Sequence, residues 1–483
     1  MCTALPSDND ITAIFNTRSQ WWKIWRETFG LAWGDEEDNT LEKFATRAVR
    51  SENPSLLGSL LLCFALSTGD HGRYLAPVER WIMADNRITD HEYDFQCLMA
   101  LGLCFLSALQ PRRAWIVYRK ANTLLQLAGI HRLHRKSESL DTIFWQLFGE
   151  DRWVSLLIGL PYSVPDHLCD LYIPPIDQAS PVSFHYQHMT VLTGRVIDSL
   201  QSNTGVSLAA VVGVDEQIDK ITAQLPPDFL DMAQISIYPE AKEKSARLYR
   251  ITQIHQLKTF LYLPLFLQHC EGGCRKSGQS HSTHYARTAC TSSARTLLEA
   301  FLALYDIDPS TASVDNSMKL TSFSALSAAV VLFLNLLADS QATSDELDKA
   351  LISRTVAVFL ACSEGQPRSL CGQCHTALEA LVSCSQSLDR GARRQISVPY
   401  FGLVQISRRN DGAQEHSRDV NPASDSRVPD QPQSDDNLIL LPTLSDDMFF
   451  SYNGPWENHE QDSFWSGQGI DAGIDWMNMD FSI

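Results

Sequence analysis

Phe144-Trp145-Gln146-Leu147-Phe148-Gly149-Glu150-Asp151-Arg152, continued by Ser155 and stopped at Gly159-Leu160-Pro161, is the stretch on which the fold turns. Phe144, Leu147, Phe148, Asp151 and Ser155 fall at offsets of about 3, 4, 7 and 11, which places them on one stripe of a helix. Asp151 is thereby aimed at a core, where a carboxylate must be paired or hydrogen-bonded. Arg152 follows it directly, and sequence neighbours do not face each other on a helix. Arg132, released just past a helix stop at Gly129, is the expected partner of Asp151. His131, Arg132, Asp151 and Arg152 therefore read as a clamp between two helices and not as a catalytic set.

Working outward, helical periodicity recurs in block after block, while no alternating run closed by Asn-Gly or Asp-Gly predicts a hairpin. Ser19 to Trp33 sets Trp22, Trp25, Arg26 and Phe29 on neighbouring turns. Asn53-Pro54 opens an apolar helix through Leu66, with Pro54 suited to the first turn. Thr89-Asp90 caps a helix to about Leu109, and Pro111 starts another that stops near Gly129. Ser139 or Asp141 is the expected cap of the helix that carries the quoted stretch. Later helices are predicted at about Pro239 to Gln268, Ser282 to Tyr305, Met318 to Ala338, Ser344 to Ser363 and Ser369 to Ser387. The expectation is an all-α chain with a large multi-helix domain over residues 1–396. A disordered linker over 397–436 and an acidic, aromatic segment over 437–483 complete it.

The order of motifs between Ala114 and Pro174 resembles the fungal-specific transcription factor domain, the middle homology region of fungal zinc-cluster transcription factors. Ala114-Trp115 opens a helix ending in Gly129-Ile130-His131-Arg132, where the family has Gly-Leu-His-Arg. Phe144-Trp145 and Asp151-Arg152 follow, then Gly159 and Pro161 of a Gly-Arg-Pro turn, with Leu160 in the basic position. Thr142-Ile143 replaces a basic pair often found before Phe-Trp. An acidic, apolar run, Val164-Pro165-Asp166-His167-Leu168-Cys169-Asp170, then leads to Ile173-Pro174. The resemblance covers about sixty residues, extends back to about Asn53, and ends at Pro174. It implies a helical regulatory domain with an inhibitory, ligand-responsive or dimerising role in a regulator of a metabolic or biosynthetic gene cluster.

The 483 residues carry a formal charge of −18, but the charge is unevenly placed. From Asp411 to Ile483, fifteen acidic residues face only Arg418 and Arg427. The helical region therefore offers no electrostatic footprint for a phosphate backbone. A zinc cluster needs a Cys-x2-Cys pair with a third Cys seven residues on, so that thiolates converge on the metal. The N-terminal region holds Cys2 alone before Cys63, and Leu381 stands seven after Cys374, so no zinc cluster and no direct DNA binding are expected from this chain. Cys371-Gly-Gln-Cys374-His375 spells a haem-attachment pattern but sits at the start of a predicted core helix, with no targeting segment in view. Cys270, Cys274, His281 and His284 are spaced too loosely to argue a zinc site. Asp166 and Asp170 lie in a loop and do not form an acidic metal-binding helix. No phosphate cradle, nucleophile elbow or His-Glu-x-x-His is present, so neither catalytic residues nor cofactors are assigned. The uncharged run Leu320 to Ala338 approaches the ~20 residues of a membrane span, yet its Thr, Ser and Asn content favours a buried core helix, and neither a membrane nor a secretory signal is expected.

The tail interleaves carboxylates with Phe449, Phe450, Trp456, Phe464, Trp465 and Trp476. Like charges keep such a segment solvated while its aromatics stay available to a groove on a partner, the physics of an acidic activation domain. The sequence thus predicts a nuclear transcriptional regulator, shared or not with the cytoplasm. Its tail would meet the transcription machinery or a co-activator, a DNA-bound zinc-cluster partner would supply targeting, and a small-molecule effector is compatible. An all-α enzyme or scaffold of a biosynthetic pathway is the alternative.

Overall fold

The computed structural model describes residues 4–17, 22, 40–51, 53–84, 92–132, 137–203, 205–272, 280–307, 316–338, 345–363, 369–387, 393–398, 402–407 and 479–482. Among them the architecture is helical, as expected. A first group comprises α1 (Asp8–Thr17), α2 (Leu41–Arg50), α3 (Pro54–Thr68), α4 (His71–Ala84), α5 (Glu92–Ser107), α6 (Pro111–Leu127) and α7 (Glu138–Ile158). A second comprises α8 (Pro181–Leu200), α9 (Leu208–Thr222), α10 (Met232–Ile237), α11 (Ala241–Gly272), α12 (Ser280–Ile307), α13 (Asn316–Ala338), α14 (Asp345–Cys362) and α15 (Leu370–Ser387).

Local chemistry sets the ends. The Asn53 side chain accepts from the backbone N–H groups of Ser55 and Leu56, and Pro54 follows in the first turn, a strong start signal. Ser137, not the expected Ser139 or Asp141, caps α7 by accepting from Leu140 N–H. Gly129 and Gly159 stop α6 and α7 at φ +75° and +68°, a backbone region that side chains avoid. The helices α8 and α9, which the sequence reading did not single out, begin at Ser180 and Ser207, whose side chains accept from Ser183 N–H and Ala210 N–H.

Each group buries its own core. Leu61, Phe64, Phe95, Leu101, Tyr118 and Phe148 belong to the first. Leu261, Phe266, Leu298, Phe301, Leu326 and Leu332 belong to the second. The long helices α11 and α12 pack along each other, and α13 lies against α11, α12, α14 and α15. The window Thr321–Ala338 is apolar enough to cross a membrane, but 83% of it is buried inside the fold. A helix apolar all round and wrapped by others is a core element, which explains the uncharged run.

The described strands form one small sheet. Arg393–Val398 (β1) pairs antiparallel with Gly402–Ser407 (β2), Arg393 opposite Ser407 and Val398 opposite Gly402. Met479–Ser482 (β3) adds to β2 in parallel, Val404 beside Met479. Val398 and Val404 are buried in the second core. The expected boundary between domain and linker at residues 396/397 therefore runs through a hairpin. The pairing has no Asn-Gly signal and takes its support from α15, which β1 contacts. Residues 408–478, most of the expected linker and acidic segment, lie outside the described residues.

Arg295 of α12 grips Asp348 of α14 with two hydrogen bonds, Nε to Oδ1 and Nη2 to Oδ2 at 3.0 Å, and Asp348 is fully buried. Replacing Asp348 by Ala strands a half-buried cation and should cost about 2 kcal/mol of stability in urea denaturation. Arg354→Ala, which removes the exposed pair with Asp306, should change stability by less than about 1 kcal/mol.

Candidate functional site

The motif residues converge on the loop that follows α7. Trp115 of α6 donates from Nε1 to Ser155 Oγ at 3.0 Å. One turn on, Arg119 lies 4.0 Å above the Trp115 ring and donates to the Pro161 carbonyl at 2.9 Å. Past Gly129 the chain makes a single 3-10 turn, Ile130–Arg132. The His131 carbonyl there accepts from Asp170 N–H at 2.9 Å. Gln201, just past α8, donates to the Gly159 carbonyl at 3.1 Å. The Gly159–Pro161 turn is thus held from α6, α7 and the end of α8.

On α7, Phe144, Leu147, Phe148, Asp151 and Ser155 are all buried, as the stripe predicts. Phe144 stacks on Phe148 at 5.1 Å, and Trp145 meets Phe148 edge-on at 6.0 Å. Asp151 Oδ2 accepts from Ser163 N–H at 2.7 Å and Ser163 Oγ–H at 2.8 Å. Burial pushes the Asp151 carboxyl up, while the Ser163 hydrogen bonds and the charges of Arg119 and Arg152 hold it down. Arg152 is 1% exposed. Its guanidinium lies 3.7 Å from the Phe148 ring centre and 4.5 Å from that of Tyr162. It donates to the Val164 carbonyl at 3.1 Å, to the Thr190 carbonyl at 3.3 Å, and to the Asp166 carboxylate. A Cβ at position 194 would stand 2.6 Å from Arg152 Nη1, so only glycine fits beside this cation.

The expected pairing of Asp151 with Arg132 is corrected by this geometry. Arg132 is exposed, and Asp151 takes its hydrogen bonds from Ser163, both at Oδ2. The loop after Gly159 folds straight back over α7, so partners twelve or so residues downstream reach Asp151 and Arg152 before a preceding helix can. His131 contributes its backbone, and its ring Nδ1 is buried without a partner. Sequence reasoning missed Arg119, Ser163, Thr190 and Gly194. Of these, a lone glycine within α8 was the one available signal.

One turn before Arg152, α7 also meets α8 at Gly149. Gly149 lets the Tyr186 hydroxyl approach to within 2.4 Å of where a Cβ would be, and that hydroxyl donates to the Trp145 carbonyl at 3.2 Å. Beside it, burial pushes the Glu150 carboxyl up to about 7.

Other candidates dissolve into structure. Cys371 and Cys374 are buried at the start of α15, and burial pushes the Cys374 thiol well up. His375 pairs with Glu379 one turn on, at 3.7 Å. Asp166 serves Arg152, and Asp170 is tied to His131. Among the described residues no cluster of His, Cys, Asp and Glu could hold a metal ion. Cys274, the His281 side chain, Phe449, Phe450, Trp456, Phe464, Trp465 and Trp476 lie outside the described residues.

No protein-family model and no solved structure matches the chain. It is 23% identical over 387 residues to a dehydrocurvularin biosynthesis regulator of Aspergillus terreus, covering 68% of this chain and 51% of that protein. It is 24% identical over 335 residues to the probable transcription factor gsfR1 of Penicillium aethiopicum, covering 62% and 46%. With transcription factor sdnS of Sordaria araneosa it shares 25% identity over 226 residues, covering 43% and 28%. The chain spans about half or less of the length of these relatives, and they are fungal transcription factors or biosynthesis regulators by name.

The loop clamp and the Glu150 edge separate by mutation. Gly194→Ala should destabilise through overpacking against Arg152 by about 1–3 kcal/mol, while Asp151→Asn should cost less because the amide oxygen still accepts from Ser163. Thermal unfolding of both variants checks the order. The Glu150 carboxyl is raised from 4.5 to about 7, so the folded state holds a proton that the unfolded chain releases. Its stabilising contribution is full below pH ~4.5 and is lost as pH rises to ~7, about 3 kcal/mol in all. Glu150→Gln should flatten that part of the stability–pH curve in urea titrations.

Proposed function

We propose that this chain regulates transcription of a fungal biosynthetic gene cluster and is not an enzyme. The observation that carries the reading is the likeness, across 68% of the chain, to a named biosynthesis regulator. The loop clamp supports it, because the motif residues behave as architecture: each buried charge is spent on a neighbouring loop, and none is presented to a substrate. In this reading the protein works in the nucleus. The six-cysteine cluster is not found within these 483 residues, so DNA targeting comes from outside them, through a DNA-bound zinc-cluster partner or an upstream exon.

The acidic, aromatic segment 437–483 is the effector in this reading. Its aromatics would insert into an apolar groove on a co-activator, with the surrounding carboxylates keeping the free segment solvated. Residues 437–483 fused to a heterologous DNA-binding domain should activate a reporter strongly. Changing Phe449, Phe450, Trp456, Phe464, Trp465 and Trp476 together to Ala should abolish the signal at equal protein level. A fusion that is silent in both forms would reduce the segment to a solubility device and remove the activator role.

A further inference from the structure

Met479–Ser482 (β3) comes from the acidic, aromatic segment, yet it is paired within the sheet of the helical domain. The described sheet has the order β1-β2-β3, so β2 is its middle strand. Val404 of β2 and Val398 of β1 are buried and belong to the second core. Along β2 the register places Val404 beside Met479, Gln405 beside Asp480, Ile406 beside Phe481 and Ser407 beside Ser482. β3 also lies against α11. The hairpin is thus anchored to the helices, and a strand from the acidic segment is seated on its edge.

Two kinds of pairing meet on β2. Its antiparallel pairing with β1 is enforced by a short connection, residues 399–401. A parallel pair cannot be closed by such a turn, and residues 408–478 separate β3 from β2. Connectivity therefore does little to place β3. The backbone N–H and C=O groups along the second side of β2 do, because an unpaired edge recruits an extended strand. Charge acts in the same direction. Residues 390–409 hold Arg390, Arg393, Arg394, Arg408 and Arg409 and no acid, whereas residues 437–483 hold eight acids and no Lys or Arg. Arg393 stands opposite Ser407, at the end of the sheet where Ser407 meets Ser482. Four residues supply few ladder bonds, and each closure must gather a long connection, so the pairing opens and re-forms.

We propose that Met479–Ser482 is a detachable clasp whose pairing with β2 folds the acidic segment back onto the arginine-bearing hairpin and withholds it from a co-activator. A segment held at both ends has fewer conformations with which to fold into a partner's groove. Its apparent affinity for that groove then falls with the fraction of chains in which the clasp is open. The clasp rests on the effector role proposed for residues 437–483 and sets when that role is exercised.

The test fuses the full chain to a heterologous DNA-binding domain and compares it with the double variant Asp480→Pro, Phe481→Pro. Successive residues of a strand aim their N–H groups to opposite sides, so one of the two prolines removes a bond to β2. Each full-chain reporter signal is divided by that of residues 437–483 alone bearing the same substitutions, at equal protein level. That ratio cancels any direct effect of the prolines on the segment, and it should be about fivefold lower for the natural sequence than for the double variant. In the unfused full chain, hydrogen exchange over residues 403–407 should be at least about tenfold faster in the double variant, with α12 unchanged. The proposal is overturned if the two ratios agree, or if exchange over 403–407 is the same in both chains. It is also overturned if α12 loses protection, which would make β3 a structural strand and not a clasp. A silent isolated segment removes the effector role and the restraint with it, whereas equal ratios from an active segment remove the restraint alone.

Discussion

The guanidinium of Arg152 is enclosed between Phe148 and Tyr162 with 1% of the residue exposed, and much of the surrounding architecture follows from keeping it satisfied. A buried cation depends on its acceptors, and here both terminal nitrogens of Arg152 find them while Nε does not. The loop after Gly159 must therefore fold back to bring Val164 and Asp166 to one side, while α8 must lie close enough to offer the Thr190 carbonyl. That close approach excludes a side chain at position 194. The same loop carries Ser163 to Asp151 and Asp170 to the turn after Gly129. One charge thus fixes where a loop and two helices sit, and α7 becomes the hinge piece between two hydrophobic cores.

Buried polar groups are satisfied unevenly. On the Arg152 edge, Arg152 and Asp151 each make hydrogen bonds to the loop after α7, although Arg152 Nε and Asp151 Oδ1 stay without partners. Elsewhere, Tyr118, His185 and Arg250 keep polar atoms that the described residues do not satisfy.

Much of the fold was legible in the sequence because helices announce themselves locally. The predicted spans at Ser282–Tyr305, Met318–Ala338 and Ser369–Ser387 fall within a few residues of the observed helices. Capping asparagine, first-turn proline and terminal glycine act through the nearest backbone groups alone. The hairpin at 393–407 escaped notice because it lacks a turn signature and is stabilised by burying Val398 and Val404 against helices. Pairing supported by tertiary contact leaves little trace in periodicity.

The sequence by itself determined the all-α class, the stripe that buries Asp151 and Ser155, the stops at Gly129 and Gly159, and the uneven acidic charge. These depend on residues within a few turns of one another or on composition. Only the tertiary structure decided who partners whom. Arg152 rather than Asp151 became the organising charge, Asp166 and Ser163 replaced Arg132 as partner, and Gly194 proved to be a spacing requirement. The reason is physical: a helix fixes which way a side chain points, but its partner is set by the path of loops and by helices brought together from far along the chain.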